Sequence, residues 1–182
     1  MQLVIERLDT DVESPVYAFD KGTSGFDLIP TDLIKLYNGQ QELPEKEFHK
    51  RIQYSYQGNS SEPIDNIILA PFERALFKTR QQFVIPEGYE IQIRPKSGIT
   101  LKTGIFVSLG SIDQSYFGDL SISVYNSNNQ NVSIELGHKP LAQGVLCKVE
   151  RALFNTISKE RFDEYEHKSE RGTAGFGSTT KE

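Results

Sequence analysis

Short apolar segments, separated by residues that favour turns, constrain the fold of this chain more than any other feature of its sequence. They span residues 3–8, 83–85, 89–93, 104–109, 120–125, 132–136 and 144–149. Glycine, proline, asparagine or serine separates most of them, and residues 86–88, Pro-Glu-Gly, have the composition of a turn. Segments of this length and spacing predict an all-β sandwich, jelly roll or barrel, and they disfavour alternating strands and helices.

The composition excludes several classes of protein. A chain of 182 residues is long enough for one domain with a substantial core. Its net charge of -5 disfavours a sequence-independent grip on a nucleic acid polymer, which needs a surplus of lysine and arginine. No stretch approaches the roughly 20 apolar residues that span a bilayer, and the first residues do not read as a signal peptide. We therefore expect an intracellular, cytoplasmic protein that binds neither a nucleic acid polymer nor a membrane.

The segment from about residue 31 to residue 66 interrupts the strand pattern. Residues 31–37, Thr-Asp-Leu-Ile-Lys-Leu-Tyr, predict a short helix capped by Thr31 and ended by Asn38 and Gly39. Residues 45–56 mix charges with aromatic side chains, and residues 58–63 have the composition of a loop. We interpret the segment as an insertion on the β scaffold, either a surface elaboration or an element that binds a protein regulator.

Residues 110–120, Gly-Ser-Ile-Asp-Gln-Ser-Tyr-Phe-Gly-Asp-Leu, place a carboxylate and an aromatic ring three residues apart. Asp113 and Tyr116 lie between an apolar run and a segment with the period of a half-buried strand. A carboxylate held between strands is suited to orienting a water molecule or a sugar hydroxyl. An ordinary turn explains the same residues, since Asp, Gly and Ser are common in turns.

Two further segments have residues that suit phosphate. In residues 94–99, Arg-Pro-Lys-Ser-Gly-Ile, the Lys96 ammonium, the Ser97 hydroxyl and the N–H groups around Gly98 can bind an anion. The tail, residues 171–182, combines Arg171 with three glycines and several hydroxyl groups, a composition that can wrap a phosphate chain while Phe176 stacks on a flat ring. The charged residues 158–171 before the tail predict a solvated linker.

The sequence disfavours a P-loop nucleotide site and a zinc site. Gly172 and Gly177 have the spacing of a P-loop, but Ser178 stands where that motif needs lysine. The three histidines are scattered, and none has the spacing of zinc ligands with another histidine or with the single cysteine. We therefore predict no metal ion held directly by protein side chains.

Five segments in order resemble the motifs of the trimeric dUTP pyrophosphatase (dUTPase) family. They are Ser-Gly-Phe-Asp-Leu at 24–28, Pro-Lys-Ser-Gly at 95–98, residues 110–120, Leu-Ala-Gln at 141–143, and residues 171–179. The chain departs from the family pattern at Lys96, where arginine is usual, at residues 138–140, His-Lys-Pro, and at Thr180, where glycine is usual.

The resemblance implies a jelly-roll-like β-barrel over residues 1–170 and a C-terminal arm over residues 171–182. It also implies a homotrimer with active sites at the subunit interfaces, where the arm of one chain completes a site built by the other two.

The resemblance further implies hydrolysis of dUTP to dUMP and pyrophosphate. Asp113 would activate the water that attacks the α-phosphorus, Asp27 would support the site, and Mg²⁺ would bind through the triphosphate and water. Backbone groups of a hairpin formed by residues 104–111 would read the uracil, and Tyr116 would leave no room for a 2'-hydroxyl. The substrate-binding residues implied are Lys96, Ser97, Gly98, Gly110, Ile112, Tyr116, Gln143, Arg171, Phe176, Gly177, Ser178 and Thr179.

Three alternatives stay open on the sequence. A dCTP deaminase-like enzyme has a similar fold, but it needs a glutamate to activate water at the base and lacks the glycine-rich arm. A regulator-binding protein would act through the insertion at about residues 31–66, and an anion-binding structural barrel would have no activity.

Overall fold

A computed structural model describes residues 4–19, 22–56 and 63–174 of the chain. Strands make up most of its regular structure, as the apolar segments predict, and the helices are short. Within these ranges, none of the helices is both long enough and apolar enough to cross a membrane. The predicted cytoplasmic location stays a prediction.

The strands occur along the whole of the larger part of the chain. They are β1 Glu6–Arg7, β2 Phe26–Leu28, β3 Asp32–Asn38, β4 Gln41–Glu42, β5 Ile52–Ser55, β6 Ile64–Leu69, β7 Glu73–Lys78, β8 Phe83–Val84, β9 Tyr89–Pro95, β10 Ile105–Val107, β11 Gly110–Asp113, β12 Ser121–Asn126, β13 Val132–Glu135 and β14 Ala142–Lys148. The helices are α1 Ser97–Thr103 and α2 Lys159–His167, and two short 3₁₀ turns cover Glu45–Glu47 and His49–Arg51.

All strand pairs among the described residues are antiparallel, and they form three larger sheets and one two-stranded ribbon. The sheets have the orders β10-β12-β7-β3-β4, β11-β9-β14-β2 and β13-β6-β5, and the ribbon pairs β1 with β8. Neighbours in a sheet are mostly distant in sequence, which is the connectivity of a jelly-roll-like fold and not of a simple meander.

One apolar core joins the sheets. Alternate side chains of the strands point into it, so that Ile91 and Ile93 of β9 meet Phe77 of β7 and Ile122 of β12 in a single buried cluster. Each of these side chains is at most 3% exposed. The predicted all-β class is confirmed.

The helix predicted for residues 31–37 is wrong, because residues 32–37 belong to strand β3, which pairs with β7. The register between the two strands shifts between Leu33 and Lys35, as at a β-bulge. A bulge adds one residue to the period of two. It therefore leaves the apolar residues Leu33, Leu36 and Tyr37 at the spacings of three and four residues that are typical of a helix.

A buried ion pair attaches the second half of the predicted insertion to the body of the fold. Glu73, at the start of β7, is fully buried, and its Oε1 lies 2.5 Å from Nη2 of Arg51. The other carboxylate oxygen accepts a hydrogen bond of 2.7 Å from the N–H of Ala70. A charge in the core is stable only with such partners. Residues 52–55 then continue as β5 at the edge of β6.

Residues 104–113 cross between two sheets. Strand β10 pairs with β12, whereas β11, which begins three residues later, pairs with β9. The hairpin predicted for residues 104–111 is therefore wrong within one chain. The sequence did not reveal the change of sheet, because a run of apolar residues shows that a strand is buried and not which strand it pairs with.

A second, smaller unit begins at Glu150. Its helix α2 lies where a linker was predicted, so that prediction is wrong. The Ser158 side chain caps this helix by accepting a hydrogen bond of 3.3 Å from the N–H of Arg161, and Lys159 forms an ion pair with Asp163 one turn on. A cap and an ion pair at this spacing help to stabilise a helix that buries none of its residues within the described chain. The domain limits predicted at residues 170 and 171 stay a prediction.

Candidate active site

Three of the predicted site residues meet at one end of the sheet β11-β9-β14-β2. Gln143 of β14 is the register partner of Asp27 on β2, so the two side chains share one face. Lys96 follows the last residue of β9 and forms an ion pair with Asp27. The Gln143 amide donates a hydrogen bond of 3.0 Å to the carbonyl of Pro95. An ammonium, a carboxylate and an amide are thus held side by side.

Glycine makes this contact possible at a residue to which the sequence analysis gave no role. A Cβ atom at Gly25 would overlap the Gln143 carboxamide, and a Cβ atom at Gly144 would overlap the Phe26 ring. Gly144 directly follows Gln143 in β14, and Gly25 directly precedes β2. A glycine next to a polar candidate in a strand, as at Gly144, is therefore a signal of such close packing.

Ser97 and Gly98 continue this cluster. They open helix α1, both are exposed, and nothing lies within 4 Å of the place where a Cβ of Gly98 would be. The first N–H groups of a helix have no partner within it and face outward. The Ser97 hydroxyl and these N–H groups therefore extend the donors of Lys96 and Gln143 into a row that suits the oxygens of a phosphate chain.

Asp113 closes strand β11, which begins at Gly110, and it is the register partner of Glu90 on β9. Its side chain is exposed, as a group that must touch substrate and water requires. The Ile112 side chain packs partly against the core. Because β11 is an edge strand of its sheet, backbone groups on its outer side can contact a ligand. The carboxylate therefore projects from a paired strand and not from the simple turn that the sequence also allowed.

Tyr116 stands on a tight turn directly after this strand. Its N–H donates a hydrogen bond of 3.0 Å to the carbonyl of Asp113, and its hydroxyl donates one of 3.0 Å to the carbonyl of Asp119. The ring lies over Gly118, where a Cβ atom would overlap it. The Tyr116 residue is 46% exposed, so a ligand can pack against its ring. Gly118 is a second supporting residue that sequence reasoning missed.

The two groups of residues lie at opposite ends of strand β9. Asp113 pairs with Glu90, whereas Pro95, next to Lys96, pairs with Ala142. Five residues of extended strand separate the two positions by about 17 Å. The side chains of Asp113 and Ser97 in one chain cannot act on the same phosphate group across that distance.

The remaining predicted residues belong to the C-terminal segment. Arg171 is exposed, and its Nε donates a hydrogen bond of 2.9 Å to the carbonyl of Ala174. Phe176, Gly177, Ser178 and Thr179 lie outside the described residues.

Metal-binding side chains do not gather in the part of the chain that the structure describes. No group of three or more His, Cys, Asp or Glu residues there could hold a metal ion. A divalent ion that reaches this site with a triphosphate would find oxygen donors on the phosphates and in water, which Mg²⁺ prefers to a cage made of protein side chains alone.

Comparison with known proteins gives one family. The dUTPase family model matches residues 63–180, which is more than half of the chain. The deoxyuridine 5'-triphosphate nucleotidohydrolase of Hydrogenobaculum sp. is 32% identical over 184 residues, covering 98% of each chain. The enzyme of the same name from Fusobacterium nucleatum is 37% identical over 142 residues, covering 77% of this chain and 90% of its own length.

Solved structures share the fold. The dUTPase of Staphylococcus bacteriophage 80alpha with dUPNHPP superposes with a TM-score of 0.66 at 20% identity, covering 99% of this chain and 100% of that chain. A mutant dUTPase from phage phi11 of S. aureus, which coordinates a structural Mg(II) ion, gives a TM-score of 0.62 at 18% identity over 86% of this chain and 98% of its own. The family match, the full-length relative and the order of the five motifs lead to one conclusion: this chain belongs to the dUTPase family.

Proposed function

We propose that the chain hydrolyses dUTP to dUMP and pyrophosphate, at sites that form only where copies of the chain meet. One observation carries the proposal: phosphate-type donors gather at one end of β9, and the carboxylate Asp113 with the Tyr116 ring stands at the other. The names of the curated relatives support the reaction.

Asp113 activates the nucleophile. Its exposed carboxylate accepts a hydrogen bond from a water molecule and aligns that water with the α-phosphorus. As the water attacks, its proton passes to the carboxylate, the bond to the bridging oxygen breaks, and pyrophosphate leaves. Because the carboxylate sits on a paired strand, its position is fixed before substrate binds.

Tyr116 selects the sugar. Its exposed ring packs against the deoxyribose and occupies the space that a 2'-hydroxyl needs, so UTP is refused by collision. Backbone groups of β11 from Gly110 to Ile112 face the base, and their fixed order of donors and acceptors matches uracil. The reading of the base by β11 replaces the hairpin expected from the sequence.

A neighbouring chain supplies the phosphate donors. Lys96, the Ser97 hydroxyl, the Gly98 N–H and the Gln143 amide bind the triphosphate, and Asp27 holds Lys96 in place. The C-terminal arm then covers the substrate, with Arg171, Gly177, Ser178 and Thr179 on the phosphates and Phe176 stacked on uracil.

Mg²⁺ is the metal that suits this site. When bound to the triphosphate it neutralises charge on the phosphate oxygens. The chain's own contribution is to hold those phosphates through Ser97, Gly98 and Gln143, so that the attacking water and the leaving oxygen lie in line.

The proposed assembly is a homotrimer. The separation of about 17 Å between the two ends of β9 supports a working site that combines Asp113 of one copy with Ser97 of another. A regulator that binds residues 31–66 stays a prediction, and β3 and β5 within that segment are ordinary members of the sheets.

The test is a substrate panel. Pyrophosphate release is measured with dUTP, dCTP, UTP and dTTP, with Mg²⁺ and with a chelator, and ammonia release is measured with dCTP. The proposal predicts pyrophosphate from dUTP alone and its loss in Asp113→Asn. Ammonia from dCTP, or normal turnover of dUTP by the variant, contradicts it.

A further inference from the structure

The carboxylate of Asp119 is tied to the backbone of a distant loop. The N–H groups of Thr79 and Arg80 both donate to its Oδ1 atom, at 3.1 and 3.0 Å, and the Thr79 N–H is shared with the carbonyl of Leu120 at 3.0 Å. Two consecutive N–H groups that converge on one oxygen form a backbone nest, which binds a carboxylate as it would bind an anion. Asp119 has no role in the reaction described above, yet its carboxylate is anchored to two backbone groups.

The loop that receives Asp119 is itself held in an unusual conformation. Arg80 has a φ of 53°, in the left-handed region that non-glycine residues rarely occupy. Its guanidinium grips both carboxylate oxygens of Asp32, at 2.9 and 3.0 Å, and contacts Asp11 at 2.8 Å. The buried Thr79 hydroxyl donates a hydrogen bond of 2.8 Å to the carbonyl of Leu120. These bonds fix the two N–H groups from several sides.

The opposite side of Asp119 faces the aromatic ring. Its backbone carbonyl accepts the hydrogen bond from the Tyr116 hydroxyl, and Gly118 lets the ring lie flat on the turn between them. The ring is therefore anchored at its tip by the carbonyl of the Asp119–Leu120 peptide group. The N–H of the same peptide group donates a hydrogen bond of 2.8 Å to the carbonyl of Gln81, so the peptide is held both by this bond and by the Asp119 carboxylate.

We propose that Asp119 is a positioning residue for sugar selection, a role that rests on the proposed function of Tyr116. By tying its residue to the loop at residues 79–80, Asp119 adds a second hold to that of the Leu120 N–H and keeps the Tyr116 ring at the position that excludes a 2'-hydroxyl. Exclusion by collision fails when the blocking group can retreat by about an ångström, since repulsion falls steeply with distance. Hydrolysis of dUTP does not need a fixed ring, because dUTP has no 2'-hydroxyl to exclude. Removing the Asp119 carboxylate should therefore reduce selectivity more than activity with dUTP.

The experiment compares four single variants and one double variant for kcat and KM with dUTP and with UTP, together with the thermal midpoint of unfolding. In Asp119→Ala the ratio of kcat/KM for dUTP to that for UTP should fall by about tenfold, through a gain with UTP. Asp119→Asn should keep the ratio, because the single amide oxygen can accept both N–H groups that now bind Oδ1.

Two substitutions at Tyr116 separate this inference from the function on which it rests. Tyr116→Ala should abolish selectivity, and an unchanged ratio there would show that the ring does not select the sugar. Tyr116→Phe removes the hydroxyl that contacts Asp119. The double variant Asp119→Ala with Tyr116→Phe should therefore be no less selective than Asp119→Ala alone, because both changes break one link.

Several results would overturn the inference while leaving the function intact. One is that the ratio of kcat/KM for dUTP to that for UTP is unchanged in Asp119→Ala but falls to about one in Tyr116→Ala. Another is an equal fall in Asp119→Asn, since charge and not geometry would then be the cause. A third is an equal loss of both activities with a lower thermal midpoint, which is a merely structural role. If Asp119→Ala does not fold, Gly118→Ala displaces the ring directly, and an unchanged ratio in that variant is decisive against the proposal.

Discussion

The placement of Asp113 and Ser97 at opposite ends of β9 predicts complementation between two inactive variants. Asp113→Asn removes the carboxylate proposed to activate water, and Ser97→Glu puts a negative charge at the proposed phosphate site. Both side chains are exposed, so neither change disturbs the core. In the proposed trimer, each variant alone would give one defect in every site.

The expected recovery follows from the symmetry of a ring. In a hybrid trimer, one interface joins an intact Asp113 to an intact Ser97, whether the ratio of the two variants is one to two or two to one. The other two interfaces carry at least one defect each. Purified hybrid trimers should therefore have a kcat per trimer of about one third of the wild-type value. If both residues of one chain served the same site, no intact site would exist in any hybrid.

The assay needs hybrids of known composition. The two variants are coexpressed with different affinity tags, and two purification steps in series retain only trimers that contain both. Pyrophosphate release from dUTP is then compared with that of the two homotrimers and of the wild type. Hybrids that are no more active than the homotrimers would refute the reasoning from the strand register.

Three other perturbations test the physical account of the fold, all by urea unfolding at a fixed protomer concentration. Arg51→Met should lower the free energy of unfolding by about 3 kcal/mol, because it leaves the Glu73 carboxylate buried without its ion-pair partner. An unchanged free energy of unfolding would mean that this carboxylate is hydrated. Gly144→Ala should cost about 1–3 kcal/mol, because the new methyl overlaps the aromatic ring beneath it, and wild-type stability would show that the ring moves freely. The Arg80 guanidinium holds the pKa of Asp32 below its ordinary value. The stability that this pair contributes is therefore complete above the ordinary pKa of an aspartate, and it is lost as the pH falls through the lower pKa of the folded state. Asp32→Asn should therefore be less stable at neutral pH and lose less stability on acidification, and an acid limb as steep as that of the wild type contradicts this assignment.

The sequence predicted the strands whose apolar residues follow a regular period. It failed at β3, where a bulge imitates a helix, and at β7, where the first inward residue is Glu73. A buried charge can be recognised only with its partner, and Arg51 lies 22 residues earlier in the chain. Periodicity describes one strand at a time, so it misses whatever depends on contacts between strands.

The sequence named residues of the candidate site, whose roles stay predictions, but it did not give the geometry of that site. Turn composition pointed to Lys96 and Ser97, and the spacing within residues 110–120 pointed to Asp113 and Tyr116. The ion pair between Lys96 and Asp27 joins residues 69 positions apart, which only the antiparallel register brings together. The support given by Gly118 to the Tyr116 ring is local, and it was missed because composition does not show that the ring folds back over its own turn.

Strand β9 has a mechanical consequence in the proposed trimer. One end of each copy carries the phosphate donors of one site, and the other end holds the strand that bears the carboxylate of the next site. The strand thus connects two neighbouring sites directly, and its length of seven residues sets the distance between them. A shift of one residue turns every outward side chain inward. A deletion in the β9 strand of one copy should therefore disable the two sites that this copy serves, and a deletion in all three copies should disable every site.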